Sequence, residues 1–167
     1  MGEILNWGIL STGKISHDFV ASLQGKPSHK VVACAARSLE NAKKFAGDFK
    51  IPKYFDNYED LVKDSQVQAV YIGSINPCHL ALAKMCLANG KPVLCEKPLC
   101  MNLKETQELV DFARNKNVFL MEVKIILLKF CKIFVSFLIF FPILGDLEPI
   151  FPCISVSSGR IGKRHSW

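Results

Sequence analysis

Trp7-Gly8-Ile9-Leu10-Ser11-Thr12-Gly13-Lys14-Ile15-Ser16 carries the chain out of a strand-like apolar run, residues 4–10, into a helix-like stretch, residues 14–23. Ile15, Phe19 and Val20 fall on one face of that stretch. A dinucleotide site needs a tight strand-to-helix turn, a backbone that can approach a pyrophosphate, and helix amides aimed at it. The three glycine positions of the usual fingerprint fall on Ser11, Gly13 and Ser16, so only the middle one is glycine. Taken alone, the stretch is explained as well by a plain strand–turn–helix junction.

Outward from this junction, apolar runs alternate with amphipathic helices. Residues 31–36 form a second buried run. Ser38 caps the next helix, in which Leu39, Ala42, Phe45, Ala46 and Phe49 recur at helical spacing. A short piece at Tyr54-Phe55 precedes a helix opened by Asn57 and carried through Leu61 and Val62. Residues 69–73 are a full strand, 80–88 a helix closed by Asn89-Gly90, and 93–95 another strand. Asn102 with Glu105 resembles a capping box in which an amide replaces the hydroxyl. The helix it starts carries Leu103, Leu109, Val110 and Ala113 inward, and residues 118–121 close the series. Strands separated by single helices need right-handed crossovers and build a parallel sheet covered on both faces. The expected fold is therefore α/β: a doubly wound parallel sheet, Rossmann-like and NAD(P)-binding, over residues 1–122.

Two further motifs bear on chemistry. Arg37 ends the second strand in Ala35-Ala36-Arg37-Ser38, where an NAD enzyme places a carboxylate for the ribose hydroxyls. An arginine there suits the 2′-phosphate of NADP, although a strand-end arginine is also an ordinary surface residue. Glu96-Lys97-Pro98 follows residues 93–95. A lysine where parallel strands end lies beside the nicotinamide crevice, able to meet a substrate hydroxyl and serve in acid–base chemistry. Pro98 fixes the turn and permits a cis Lys97–Pro98 bond. By itself Glu-Lys-Pro is also a common surface turn.

Taken together, these motifs resemble the Gfo/Idh/MocA oxidoreductase family. The resemblance rests on Trp7-Gly8-Ile9 with Gly13, Ala-Ala-Arg at 35–37, Tyr71-Ile72-Gly73 before Asn76-Pro77-Cys78-His79, Leu94-Cys95-Glu96-Lys97-Pro98, and Phe119-Leu120-Met121-Glu122. It covers residues 4–122. For the members most similar to this chain it implies NADP-dependent oxidation of trans-dihydrodiols of aromatic hydrocarbons to catechols, and of D-xylose to its lactone. Gly13, Arg37 and His79 would lie along the cofactor, with Ser11, Ile15, Ser38, Asn76, Glu96 and Lys97 completing that set. Lys97 would be the catalytic-site lysine. On the bare residues, His79 is equally the start of a helix and Asn76 a turn residue.

From Val123 the chain departs from that pattern. No acidic residue occurs between Glu122 and Asp146, and Phe130, Phe134, Phe137, Phe140 and Phe141 crowd one stretch. Pro142, Gly145, Pro149 and Pro152 break any long regular element beyond it. A transmembrane helix wants about 20 uninterrupted apolar residues, and this run is shorter, lysine-flanked and proline-broken, which argues against membrane insertion. The favoured reading of residues 123–167 is an unrelated phenylalanine-rich, then basic, tail that covers the domain poorly. The substrate-binding α/β domain with which family members continue would then be missing. A diol or sugar would be bound only if such a domain were supplied, and the chain by itself would not turn over. No oligomeric state is assigned from the sequence.

Composition agrees with a globular domain: half of the 167 residues are apolar and 22% are charged. The net charge of +6 draws partly on Arg160, Lys163 and Arg164, but no stacking aromatics or reading helix accompany it. Specific nucleic-acid binding is therefore not expected. Seven cysteines form no C-x-x-C pair and have no histidine at zinc-ligand spacing. This points to a reducing, cytoplasmic setting without disulfides or metal. Met1-Gly2-Glu3 runs straight into a strand, so no signal peptide is expected, and Asn6 stands where myristoylation wants Ser or Thr.

Overall fold

The computed structural model describes residues 4–126 and 134–138. Six parallel strands carry the domain: β1 (Leu5–Leu10), β2 (His29–Ala35), β3 (Lys53–Phe55), β4 (Ala69–Ile72), β5 (Val93–Cys95) and β6 (Leu120–Ile126). Between them run α1 (Lys14–Leu23), α2 (Leu39–Phe49), α3 (Tyr58–Lys63), α4 (His79–Ala88) and α5 (Leu103–Lys116). The sheet order is β3-β2-β1-β4-β5-β6-β7, so the winding reverses between β1 and β4. In such sheets the carboxyl ends of the strands at the reversal border a crevice that binds ligands.

Strand alternation divides the core into two layers. Leu10, Val70 and Ile72 face a layer built with Leu61, Leu82, Leu87, Leu109 and Ala113 of α3, α4 and α5. Trp7, Ile9 and Tyr71 face the other, with Val20 of α1 and Phe45 and Ala46 of α2. Helix ends follow the sequence signals. Ser38, Asn57 and Asn102 accept hydrogen bonds from the amides of Asn41, Asp60 and Glu105. Glu105 returns the contact through the Asn102 side-chain amide and the Met101 N–H, a variant of the expected box.

One inward assignment is corrected: Leu103 is 82% exposed. It lies within about 20° of Val110 around a helix of 3.6 residues per turn, so its exposure follows from standing at the very start of α5, about two turns before Val110. The pattern that breaks at Val123 does not end the strand: β6 runs on to Ile126, and β7 (Phe134–Leu138) pairs antiparallel with it. The parallel sheet thus acquires one antiparallel edge strand. The features at Pro142, Gly145, Pro149 and Pro152 and the basic Arg160, Lys163 and Arg164 lie outside the described residues. Among the described residues, no helix is long and apolar enough to cross a membrane.

A polar lock ties the amino-terminal rim of the sheet. Lys53 Nζ meets Asp64 Oδ2 at 2.5 Å, and the Gln66 N–H donates to Asp64 Oδ1 at 2.8 Å. Lys91 Nζ donates to the carbonyls of Asp64 and Val67 at 3.0 and 2.6 Å, joining α3 to the approach to β5. The Lys53 hydrogen bond, aided by that of Gln66 and the charges of Lys53 and Lys91, holds the Asp64 carboxyl below its ordinary value despite partial burial. A carboxylate depressed on folding stabilises above its unfolded pKa, and the gain is lost as pH falls through the folded value. Asp64→Asn should cost about 1–2 kcal/mol in urea denaturation at pH 7. The gap to the unmutated chain should close as pH drops below the ordinary carboxylate range.

Candidate dinucleotide-binding site

The crevice begins at the turn from β1 to α1. Ser11 stands there at φ 75°, and its N–H donates to the Ala35 carbonyl at 2.9 Å, pinning the end of β1 to that of β2. A left-handed conformation costs a non-glycine residue roughly 1–2 kcal/mol, which is why the fingerprint prefers glycine here. Gly13 is different. Its φ of −73° and ψ of 174° suit any residue, and an added Cβ would meet only Gly73 O at 3.8 Å and Ser11 Oγ at 4.0 Å. Neither backbone nor packing calls for glycine at this position. What its absent side chain keeps clear is the space before the first turn of α1.

That turn suits an anion. Gly13 caps α1 without a side-chain hydrogen bond, and no acidic residue lies in the first turn. The leading amides of a helix have no partners within it and carry the positive end of its dipole. The third fingerprint position, Ser16, is fully buried, and its Oγ has no hydrogen-bond partner among the described residues. Close helix–strand approach is supplied from the other side, by Gly73, where an added Cβ would lie 2.2 Å from Ser16 Oγ and 2.9 Å from Tyr71 Cε1. The fingerprint reading looked for small residues along one segment, whereas the clearance comes from a residue about sixty positions downstream.

The remaining candidates lie in the first turn of α1 and past the carboxyl ends of β2 and β4, the strands on either side of β1. Arg37 is exposed just past β2, and its positive charge reaches the Tyr58 phenol at the start of α3, where burial nevertheless pushes that phenol upward. Ser38 is half-buried, with its hydroxyl engaged as the cap of α2 at 3.4 Å from the Asn41 amide. Ile15 is half-buried in the first turn of α1, and Asn76 opens a 3-10 turn, Asn76–Cys78, between β4 and α4.

The loop after β5 is held by three buried or half-buried groups. Tyr71 is fully buried, its ring stacked on Phe19 of α1 with centroids 3.8 Å apart and planes 1° off parallel. Its hydroxyl donates to Glu96 Oε1 at 2.7 Å, and the Lys97 N–H donates to Glu96 Oε2 at 3.2 Å. Burial, then the hydrogen bond to Glu96 and that residue's charge, push the Tyr71 phenol far above its ordinary value, so it remains the donor. His79 is also fully buried; its Nδ1 lies 2.9 Å from the Pro98 carbonyl and its Nε2 2.9 Å from that of Ser74. Glu122 Oε1 accepts the Leu99 N–H at 2.8 Å. The Lys97–Pro98 peptide is cis.

Lys97 therefore stands exposed at the apex of a loop anchored on both sides. A lysine side chain so placed can donate hydrogen bonds and, as the amine, take a proton. Glu96 and His79, by contrast, spend their polar atoms inside the protein. Glu122 and Tyr71 were not assigned site roles from the sequence. Their signal was only that a polar atom in a strand interior must find a partner. The described thiols are core groups: burial pushes those of Cys34 and Cys86 up to about 12.

Comparison with known proteins agrees with this geometry. The family model GFO_IDH_MocA, an oxidoreductase family with an NAD-binding Rossmann fold, matches residues 5–123. The trans-1,2-dihydrobenzene-1,2-diol dehydrogenase of Xenopus tropicalis is 54% identical over 118 residues, covering 70% of this chain and 36% of the relative. The Homo sapiens protein of that name is 52% identical over 120 residues, 71% of this chain and 36% of the relative. The chain thus spans about a third of the length of these curated relatives. Among solved structures, KijD10, a 3-ketoreductase from Actinomadura kijaniata in complex with TDP-benzene and NADP, superposes with a TM-score of 0.68 at 28% identity. It covers 72% of this chain and 38% of that one. An NAD-binding oxidoreductase from Klebsiella pneumoniae gives 0.66 at 29% identity, covering 71% and 34%.

The two small-residue positions should respond oppositely to substitution. Ser11→Gly relieves the left-handed strain and should raise stability by about 1 kcal/mol. Gly73→Ala should lower it by about 1–3 kcal/mol through overpacking, and Ser16→Ala in the same chain should recover part of the loss. Thermal melts of the four proteins read both effects; an unaltered melt for Gly73→Ala would contradict the close approach.

Proposed function

The chain belongs to the Gfo/Idh/MocA oxidoreductase family, and on that premise we propose that its residues 4–123 bind NADP(H) as the nucleotide-binding part of a dihydrodiol dehydrogenase. The observation that carries the cofactor reading is Arg37, exposed just past β2, the strand whose Ala35 carbonyl takes the Ser11 N–H of the turn into α1, a helix that no side chain caps. The α1 amides and the cleared space over Gly13 would receive the pyrophosphate. Arg37, with the Ser38 hydroxyl beside it, would receive the 2′-phosphate. Ser11 and Ile15 would border the pyrophosphate. Asn76 and the carbonyl-bound His79 would shape the wall beyond β4. The nicotinamide half would then extend toward the ends of β4 and β5, where Lys97 stands.

When bound, the nicotinamide supplies hydride transfer. The chain's own contribution is to hold the dinucleotide and to present the Lys97 side chain, which as the neutral amine would take the substrate hydroxyl's proton and become the ammonium. Glu96, His79 and Glu122 hold the loop on which that ammonium sits. Relatives carrying the name trans-1,2-dihydrobenzene-1,2-diol dehydrogenase point to aromatic trans-dihydrodiols, oxidised to catechols, as the substrate class; D-xylose, oxidised to its lactone, is proposed with them. Orienting the substrate against the ring contributes about 7–11 kcal/mol in favourable cases. We assign that task to the portion of the relatives that residues 4–123 do not match, so these residues alone bind cofactor without turnover. The free thiols favour a reducing, cytoplasmic setting.

Fluorescence titration of the chain with NADPH and NADH tests the reading. A charge-assisted hydrogen bond to the 2′-phosphate is worth roughly 1.5–3 kcal/mol, or about ten- to a hundredfold in affinity for NADPH. Arg37→Ala should remove most of that difference and leave NADH binding nearly unchanged. Equal affinities in the unmutated chain would sink the NADP assignment.

A further inference from the structure

Glu96 is a buried carboxylate at the carboxyl end of β5, beside Lys97, and its two oxygens face two donors, the Tyr71 hydroxyl and the Lys97 N–H. Both carboxylate oxygens are thus used; a glutamine NH2 could be met only by the Tyr71 hydroxyl turning to accept, which would leave the hydroxyl's own proton without its present partner. Tyr71 cannot drift away from this contact, since its ring is clamped on Phe19. The field of Asp18 also acts on the Tyr71 phenol, adding negative charge on the α1 side. The Lys97 ammonium, one residue on, is exposed and shielded by water. The end of β5 therefore carries a fixed negative charge in a low-dielectric wall.

We propose that this Tyr71-held Glu96 carboxylate biases the site toward the oxidised dinucleotide. The inference rests on the dinucleotide reading given above, in which the nicotinamide half lies toward the ends of β4 and β5. Oxidised nicotinamide is a cation and reduced nicotinamide is neutral, so a nearby buried anion stabilises the first and leaves the second nearly untouched. Glu96 acts through its field; the Tyr71 hydroxyl and the Lys97 N–H each hold one of its oxygens, so losing the hydroxyl alone leaves the charge in place. A role confined to structure would change both affinities in the same proportion.

Calorimetric titration of the chain with NADP+ and with NADPH reads the ratio of the two dissociation constants. Glu96→Gln should weaken NADP+ relative to NADPH by on the order of tenfold, the effect of one unit charge about 12 Å away at an effective dielectric of about 20. Tyr71→Phe keeps both the ring stacking and the carboxylate, so its ratio should stay within about twofold of the unmutated chain even as its melting temperature falls. Tyr71→Phe with Glu96→Gln removes the charge without opposing two donors, and it should fold and show the full tenfold change. That double variant keeps the test decisive if Glu96→Gln alone unfolds. A ratio unchanged in the double variant overturns the proposal and leaves cofactor binding standing. A full shift in Tyr71→Phe alone also overturns it, since the hydroxyl rather than the charge would set the ratio. Failure of the unmutated chain to bind either form removes the dinucleotide reading and this inference together.

Discussion

The Tyr71 ring lies flat on Phe19 and its hydroxyl ends on the Glu96 carboxylate, and through those two contacts α1, β4 and β5 share one carboxyl edge. The stacking supplies apolar burial and fixes the depth of α1 over the sheet. The hydrogen bond satisfies a phenol and a carboxylate that would each be costly to bury alone. Gly73, two residues on, lets the same helix come close enough for the stack to form. Nearly everything the crevice presents follows from that joint. The uncapped amides of α1, the cleared space over Gly13 and the Lys97 loop hold their relative places because the elements beneath them cannot slide.

The two rims of the sheet are built for different purposes. At the amino-terminal rim, the polar atoms of Lys53, Asp64, Gln66 and Lys91 are consumed by one another. At the carboxyl rim, polar atoms are consumed only where they hold a loop, as in Glu96, His79 and Glu122, and Lys97 and Arg37 are left outward. A binding site needs groups whose partners are still to come, held by groups whose partners are already present. Parallel sheets concentrate the former at the carboxyl ends because the following helices point their amide ends there.

The last parallel strand shows a different constraint. β6 would expose a row of backbone donors and acceptors along its outer side, and such an edge is prone to unintended pairing. In this chain the antiparallel β7 lies along it over Glu122–Ile126. The phenylalanine-rich composition that breaks the helix–strand pattern is thus drawn, at residues 134–138, into the same hydrogen-bonded ladder as the domain.

The periodicity of apolar residues, together with the caps Ser38, Asn57 and Asn102, was sufficient to determine the order of elements through β6, because both signals are local. Motifs at 35–37 and 94–98 marked Arg37 and Lys97 for the same reason: each sits directly after a strand. Leu103 departs from its inward pattern, since a helix's first residue follows the face only if something lies beneath it. The partners of Glu96 and His79, the Gly73–Ser16 approach and the β6–β7 pairing were decided only by the tertiary structure. They join residues far apart in sequence, and no local pattern records which buried donor will meet which buried acceptor once the sheet has closed.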